Sequence, residues 1–217
     1  IAQCLVGSEM CIRDRLYAAF MRQIHYFVDM KVRVSNYIDR MFAKYAPATF
    51  LSLFIDDCIA KGKDYYDCGP RYNTTYIQCT GLGTITDSLS SLRKHVFEDK
   101  TFTMEALLDA MADNFEGHEP MRQMILNRTP FFGNDDPYAD QIAVRVFDDL
   151  YDAIEGKPNT KGECFHLNML STTCHVYFGK VMGATPNGRL AGRAISDGTS
   201  PSHGADIHGP SAVITVS

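Results

Sequence analysis

Hydrophobic residues recur at three- and four-residue spacing along most of this chain, which predicts a mainly helical protein. The longest such stretch runs from Leu16 to Tyr45, and Pro47 is expected to end it. Thr103 is a plausible N-cap for a helix whose apolar stripe reaches Phe115, and Pro120 suits the start of the next one. The remaining predicted helices cover Thr49–Ala60, Thr84–Phe97, Glu119–Asn127 and Tyr138–Ile154.

Runs of β-branched and apolar residues interrupt the helical pattern. Thr74–Thr80 and Cys164–Phe178 are predicted strands, and Val213–Val216 is a further strand-like run. Strands separated by helices favour parallel pairing, so the predicted fold class is α/β and mostly helical. So few strands cannot close a sheet, and we expect the missing strands to lie outside this sequence.

The second predicted strand carries polar residues on both of its alternating faces. Ser171, Thr172 and Thr173 bring three hydroxyl groups together inside a run that is otherwise apolar. Buried hydroxyls need hydrogen-bond partners. Two interpretations stay open: these groups bind a small polar ligand, or they bond to nearby backbone at the strand end.

A glycine-rich segment follows, from Gly179 to Gly209-Pro210. Pro186-Asn187-Gly188 is a turn signal, with Arg189 expected to be exposed beside it. Segments of this length without secondary structure are usually functional or disordered. We expect an ordered loop that packs its backbone closely, and no acid–base role for its Asp and His residues.

Two short motifs could indicate a dinucleotide-binding site or a zinc site, but each is better explained by packing. Gly81-Leu82-Gly83 lies between a predicted strand and a helix, but Thr86 replaces the third glycine of a dinucleotide-binding fingerprint. Cys164 and His166 share a strand face and could bind zinc with His203 or His208, yet the spacing lacks the compactness of structural zinc sites. The sequence therefore predicts no metal site and no catalytic residue.

Composition narrows the class of protein further. The net charge is −5 and no basic stripe points to nucleic acid. No apolar run approaches the roughly 20 residues of a membrane span. Seven cysteines in no tight framework favour a reducing, cytoplasmic compartment.

Both ends of the sequence look truncated. Residues 1–15 resemble translated sequencing-adapter sequence and are left out of fold reasoning, so the predicted domain covers residues 16–217. The strand-like run at the C-terminus stops in mid-pattern. We expect this chain to be a fragment of a longer protein.

Several segments resemble one family. They are Arg71-Tyr72-Asn73, the run NMLSTTCHVYFG at 168–179, ATPNGR at 184–189 and GPSAV at 209–213. Together they are similar to the late part of the large domain of glycyl radical enzymes, the pyruvate formate-lyase family. The resemblance implies that the chain is an incomplete portion of a ten-stranded α/β barrel.

The TTCHVYFG run further resembles the branch of the family that dehydrates trans-4-hydroxy-L-proline to 1-pyrroline-5-carboxylate. The resemblance implies a thiyl-radical reaction in the parent enzyme, with a glycyl radical installed by a radical S-adenosylmethionine activating enzyme. It implies that the radical glycine and thiyl cysteine lie outside this chain, and that the parent is a homodimer. Among the residues present, it favours Thr172 or Thr173 as lining the substrate.

Three functions remain distinct at this point. The first is the hydroxyproline dehydratase activity, with this chain inactive by itself. The second is another activity of the same family, such as glycerol or propanediol dehydration or formate acetyl transfer. The third belongs to another class: a small-molecule-binding or structural α/β module without chemistry.

Overall fold

A computed structural model describes residues 9–216, and the side chains of residues 14–215. The first eight residues of the predicted adapter segment lie outside the described residues. The described elements, in chain order, are α1 (Glu9–Tyr45), α2 (Thr49–Ser52), α3 (Asp56–Lys61), β1 (Thr75–Gln78), α4 (Leu82–Ser91), α5 (Met104–Ala112), α6 (Glu119–Arg128), α7 (Pro137–Ile154), β2 (Phe165–Asn168), α8 (Cys174–Val181) and α9 (Pro210–Val216).

The predicted α/β class with a parallel pair of strands is confirmed. β1 and β2 pair in parallel, with Thr75 opposite Phe165 and Gln78 opposite Asn168. The helices α4 to α7 lie between the two strands in sequence, as a parallel connection requires. No helix within residues 9–216 is both long enough and apolar enough to span a membrane.

Most predicted helices are present with small shifts at their ends. Thr103 caps α5, because its Oγ1 accepts a hydrogen bond from the N–H of Ala106 at 3.2 Å. Pro120 lies in the first turn of α6. The helix predicted over Thr84–Phe97 is α4 followed by a π-helical segment, Leu92–Glu98.

The predicted strand Cys164–Phe178 is wrong beyond Asn168. Residues 169–173 form an irregular segment and α8 begins at Cys174. The N–H of Cys174 donates to Oγ1 of Thr172 at 3.4 Å, and the N–H of Val176 donates to the carbonyl of Thr173 at 3.1 Å. These local bonds start a helix, so the alternating faces assigned to residues 169–178 do not exist.

Three further boundaries differ from the sequence expectations. The helix predicted over Thr49–Ala60 is two short helices, because Ile55 between them is extended (φ −117°, ψ 109°). Val213–Val216 belongs to helix α9, which starts at Pro210, and is not a strand. α1 begins at Glu9, earlier than the predicted start at Leu16.

The chain divides into two compact units. Unit 1 comprises the described residues up to Tyr17, then Cys79–Asp148, and the described residues from Met169 onward. Its core is a cluster of buried side chains against which Ala184 and Leu190 of the glycine-rich segment pack; the cluster comprises Leu92, Leu107, Ala110, Phe115 and Ile125. This packing gives the glycine-rich segment an apolar anchor inside its own unit.

Unit 2 comprises Ala18–Gln78 and Asp149–Asn168 and contains the two-stranded sheet. Phe165 of β2 is fully buried, and Ile77 of β1 is 7% exposed. Polar bonds join α1 to the segment before β2: Asn36 donates to the carbonyl of Pro158 at 3.1 Å, and Lys157 pairs with Asp29 at 2.6 Å. The backbone entering β2 is therefore fixed on several sides.

Candidate functional site

The first turn of α4 binds the glycine-rich segment of unit 1 through a reciprocal pair of hydrogen bonds. The N–H of Thr84 donates to Oγ of Ser196 at 3.0 Å, and the N–H of Ser196 donates to Oγ1 of Thr84 at 2.8 Å. Thr80 adds a bond from its hydroxyl to the carbonyl of Ser196 at 3.1 Å. Ser196 is 1% exposed, so these bonds satisfy groups that water cannot reach.

Gly83, the residue before Thr84, brings the backbone of α4 into direct contact with the backbone of the glycine-rich segment at residues 200–202. A Cβ placed on this residue would lie 2.7 Å from the carbonyl oxygen of Ser200 and 3.0 Å from the nitrogen of Ser202. Only a residue without a side chain fits that gap. The Gly81-Leu82-Gly83 run thus serves close packing, in agreement with the turn interpretation and not with dinucleotide binding.

Asp87 of α4 holds the same segment from a completely buried position. One carboxylate oxygen accepts from the N–H of Phe132 at 2.8 Å, and the other accepts from the hydroxyl of Ser202. Burial raises the pKa of the Asp87 carboxyl to about 7, and the two hydrogen bonds oppose that shift. The carboxyl of Asp87 is therefore near its titration point at neutral pH.

Asn134 fixes the far end of the segment. Its side-chain N–H donates to the carbonyl of Ala205 at 2.8 Å, while its Oδ1 accepts from the N–H of His208 at 3.1 Å. The ring of His208 contacts the carbonyl of Asn134 at 2.9 Å. His208 is therefore bonded to Asn134 through both its backbone and its ring, and the absence of an acid–base role stays a prediction.

Arg189 differs from its prediction as an exposed residue of a turn. The turn itself is confirmed, since the N–H of Gly188 donates to the carbonyl of Thr185 at 3.0 Å. The guanidinium is half-buried and donates to three backbone carbonyls, those of Gly183, Leu190 and Arg193. Arg189 thus closes the turn by satisfying carbonyls that glycine-rich backbone leaves free.

The irregular segment 169–173 meets the glycine-rich segment at Asp197. The N–H of Thr172 donates to Oδ1 of Asp197 at 3.0 Å, and Nδ1 of His175 lies 3.5 Å from the same oxygen. Nδ1 of His175 also contacts the carbonyl of Thr172 at 2.6 Å. A Cβ at Gly198 would lie 2.5 Å from the carbonyl of Met169, so this contact also requires glycine.

The two predicted substrate-lining residues lie on this junction. The Thr172 side chain is half-buried, and Thr173, which flanks the start of α8, is exposed. Oγ1 of Thr172 accepts from the N–H of Cys174, so its own hydrogen is not used in that bond. The backbone-bonding interpretation is therefore confirmed for Thr172, and ligand binding stays a prediction.

Two cavities open beside the glycine-rich segment. One, of about 710 Å³, has Asp87, Arg122 and Asn134 among its lining residues. The other, of about 560 Å³, is lined in part by His175 and Asp197, which contact Thr172. Thr172 and Thr173 themselves line neither cavity.

The residues considered for zinc are divided between the two units. Cys164 and His166 belong to unit 2, whereas His203 and His208 belong to unit 1. The ring of His203 stacks on His175, with the ring centroids 5.8 Å apart. Within residues 14–215, no group of three or more Cys, His, Asp or Glu side chains is arranged to hold a metal ion.

Sequence reasoning missed Asp87 and Asp197 as the residues that order the junction. Asp87 lies on the buried face of a helix, and a charged residue on such a face indicates a specific partner. Asp197 lies next to a glycine, and the sequence was interpreted there only as a turn. Their partners are 25 or more positions away in the chain, which no local pattern shows.

Comparison with known proteins gives consistent matches over nearly the whole chain. A family model described as pyruvate formate lyase-like matches residues 8–179. The trans-4-hydroxy-L-proline dehydratase of Clostridioides difficile is 47% identical over 201 residues, which cover 93% of this chain and 26% of that protein. The chain thus spans about a quarter of the length of this relative.

Solved structures also match over most of this chain. The crystal structure of hydroxyproline dehydratase from Clostridioides difficile with trans-4-hydroxy-L-proline bound superposes with a TM-score of 0.89 at 46% identity, over 94% of this chain and 26% of that one. A glycyl radical enzyme from Archaeoglobus fulgidus superposes with a TM-score of 0.86 at 32% identity, over 94% of this chain and 26% of that one. The expected fold, an incomplete portion of the α/β barrel of glycyl radical enzymes, is confirmed.

Proposed function

We propose, from the premise that this chain belongs to the pyruvate formate lyase-like family, that its parent protein is a glycyl radical dehydratase acting on trans-4-hydroxy-L-proline. The observation that carries the proposal is the likeness to hydroxyproline dehydratase in both sequence and structure. That likeness extends through the Thr172 junction and the glycine-rich segment. A non-catalytic module has no comparable support, because the relatives named above are enzymes.

The proposed reaction removes the 4-hydroxyl group and a hydrogen as water and leaves 1-pyrroline-5-carboxylate. In such a parent a glycyl radical, installed by a radical S-adenosylmethionine activating enzyme, supplies the initial hydrogen abstraction. No residue of this chain corresponds to the radical glycine or to the thiyl cysteine. We therefore assign no catalytic residue here and expect this chain alone to be inactive.

Under the proposal this chain contributes part of the wall of the substrate pocket and orients the Thr172 hydroxyl within it. Asp197 fixes the backbone of Thr172, and the bond from Cys174 fixes the direction of the Thr172 hydroxyl. A hydroxyl that accepts from backbone can still donate its own hydrogen to a carboxylate or hydroxyl of a small substrate. We propose Thr172 as a substrate-lining residue on this ground, with Thr173 as its neighbour at the start of α8.

The buried bonds around Ser196 and Asp87 have a second consequence for such chemistry. They satisfy polar groups of Ser196 and Ser202 in the glycine-rich segment with protein partners. Radical chemistry benefits from a site that excludes solvent. An ordered loop with internal hydrogen bonds is suited to form the wall of a site that excludes solvent.

The experiment uses the full-length parent, activated without oxygen by its activating enzyme. Trans-4-hydroxy-L-proline, glycerol and 1,2-propanediol are supplied separately, and products are identified by mass spectrometry. The proposal predicts 1-pyrroline-5-carboxylate from hydroxyproline and negligible turnover of the two diols. Turnover of a diol instead would move the parent to another activity of the family, and no turnover by an activated, radical-bearing protein would refute both.

A further inference from the structure

Unit 2 contains a carboxylate, an imidazole and a thiol in line, at the start of β2. Nδ1 of His166 contacts Oε1 of Glu155, and Nε2 of the same ring lies 3.5 Å from Sγ of Cys164. None of these three residues takes part in the junction described above. Glu155 and Cys164 lie at the two ends of the segment that joins α7 to β2, and His166 lies in β2 itself.

The backbone explains why the three side chains meet. Cys164 and His166 are two positions apart in extended chain and so point to the same side, while Phe165 between them is buried on the other. The carbonyl of Cys164 accepts from the N–H of Thr75 at 3.2 Å, and the N–H of Phe165 donates to the carbonyl of Lys157 at 2.7 Å. These bonds hold the backbone from which the Cys164 side chain projects.

Glu155 is placed by the end of α7. Its N–H continues the helical pattern, donating to the carbonyl of Tyr151 at 2.8 Å. A carboxylate only accepts hydrogen bonds, so the contact with His166 requires the hydrogen on Nδ1. The neutral ring then presents Nε2 as an acceptor, and the group facing it is the thiol of Cys164.

Within this chain the three side chains are partly exposed. The side chains of His166 and Glu155 are 30% and 26% exposed, and Cys164 is half-buried. The ring of Tyr76 on β1 lies beside His166, with centroids 5.7 Å apart, and is itself more than half exposed. Two other cysteines are less available: Cys58 is 3% exposed, and burial raises the pKa of the Cys79 thiol, whereas Cys68 and Cys174 are half-buried like Cys164.

We propose that Cys164 is a nucleophilic thiol that exchanges with low-molecular-weight disulfides, with His166 as its base and Glu155 as the residue that positions the ring. A nucleophile next to a base, itself oriented by a third group, is the arrangement that activates thiols in general. This site is separate from the proposed dehydratase chemistry and does not depend on it.

The exchange balances without any further reactant. His166 Nε2 takes the proton of Cys164, and the sulfur attacks one sulfur of the small disulfide. A new disulfide forms between Cys164 and half of the reagent, the reagent's own S–S bond breaks, and the departing thiolate receives the proton from His166. Cys164 is oxidised to a mixed disulfide and the reagent is reduced by the same two electrons.

The test uses the full-length parent, purified without oxygen and left unactivated, with 2-hydroxyethyl disulfide as an uncharged probe. Mixed-disulfide formation is followed by mass spectrometry of tryptic peptides. Cys164 and Cys174 share one such peptide, between Lys161 and Lys180, and fragment spectra separate them. We expect Cys164 to react well before Cys58 and Cys79.

Variants assign the roles. His166→Gln is expected to slow modification of Cys164 about tenfold, below the full range of base catalysis because a thiol is already a good nucleophile. Glu155→Ala should slow it by a smaller factor, and Glu155→Gln, which keeps an accepting oxygen for Nδ1, should restore part of the rate. His118→Gln replaces a partly exposed histidine of unit 1 that also faces a carboxylate, Asp113; it is the matched control and should leave the Cys164 rate unchanged.

Unfolding is monitored within the same experiment, because a disrupted variant would expose Cys58 and raise its rate. The proposal stands if His166→Gln lowers the rate of mixed-disulfide formation at Cys164 while Cys58 stays unmodified. It is overturned if Cys164 reacts no faster than Cys79 in the unsubstituted protein. It is also overturned if His166→Gln and His118→Gln leave the Cys164 rate equally unchanged.

Discussion

The backbone N–H of Thr172 donates a hydrogen bond to Oδ1 of Asp197, with the two atoms 3.0 Å apart. This bond joins the irregular segment before α8 to the glycine-rich segment 25 residues later. The backbone position of Thr172 therefore depends on a residue for which the sequence predicts only a turn. The bond is the structural basis for treating the two segments as one site.

Removing the Asp197 carboxylate should loosen this junction. Asp197→Ala leaves the Thr172 N–H without its acceptor, and a hydrogen bond to a charged group contributes about 1.5–3 kcal/mol. We expect amide hydrogen exchange at Thr172 to accelerate by about tenfold or more, measured by exchange mass spectrometry. Asp197→Asn keeps an acceptor oxygen and should show a much smaller change.

The control for that experiment is Asp109→Ala, which removes an exposed carboxylate from α5. Exchange at Thr172 should be unaffected there. If Asp197→Ala and Asp109→Ala give the same exchange at Thr172, the hydrogen bond does not hold the segment.

Asp87 predicts a specific dependence of stability on pH. An unfolded aspartate titrates near pH 4, whereas burial raises the pKa of folded Asp87 to about 7. The folded state thus holds the proton more tightly, so this group's contribution to the free energy of unfolding falls as the pH rises from about 4 to about 7. Above that window the contribution should be constant.

Asp87→Asn removes the titration and can keep both bonds, accepting from Phe132 and donating to Ser202. Urea unfolding at several pH values should show that the variant loses stability less steeply than the parent sequence between pH 4 and 7. Asp109→Asn, exposed on α5, should retain the original slope. An unchanged slope in Asp87→Asn would contradict the buried, protonated carboxyl.

Substitution by alanine should destabilise the protein at Gly83 and have almost no effect at Gly183. Gly83→Ala places a Cβ 2.7 Å from the carbonyl oxygen of Ser200, whereas Gly183→Ala meets nothing within 4 Å. Alanine is about 1 kcal/mol better than glycine inside a helix, and Gly83 lies in α4. Overpacking costs about 1–3 kcal/mol, so Gly83→Ala should destabilise the protein despite that helical gain.

Thermal unfolding of the two variants decides the point. Gly83→Ala should lower the melting temperature, and Gly183→Ala should leave it nearly unchanged. A melting temperature that rises in Gly83→Ala would mean that the segment around Ser200 is free to move away from α4.

The helices of this chain were predictable because their signals are local. Apolar spacing, the Thr103 cap and the position of Pro120 each act within a turn or two, and each is confirmed. The parallel pairing of β1 and β2 also followed from the order of elements along the chain. These features do not depend on which distant residues pack nearby.

The site was only partly predictable, because distant residues decide its conformation. The β-branched run after Asn168 favours a strand, yet the hydroxyl of Thr172 accepts from the N–H of Cys174 at the start of α8, and Asp197 binds the backbone of Thr172. The C-terminal Val213–Val216 run likewise lies in α9 against its β propensity. Glu155 and His166 are 11 positions apart, and only the fold brings the carboxylate to the ring.

The most direct test of the account is the steady-state kinetics of the activated parent with Thr172→Ala, using trans-4-hydroxy-L-proline and oxygen-free conditions. Losing one hydrogen bond to the substrate should lower kcat/KM by about tenfold. Thr101→Ala, which removes an exposed hydroxyl elsewhere in unit 1, should match the unsubstituted enzyme. Equal kcat/KM values for Thr172→Ala and Thr101→Ala would contradict the assignment of Thr172 to the substrate site.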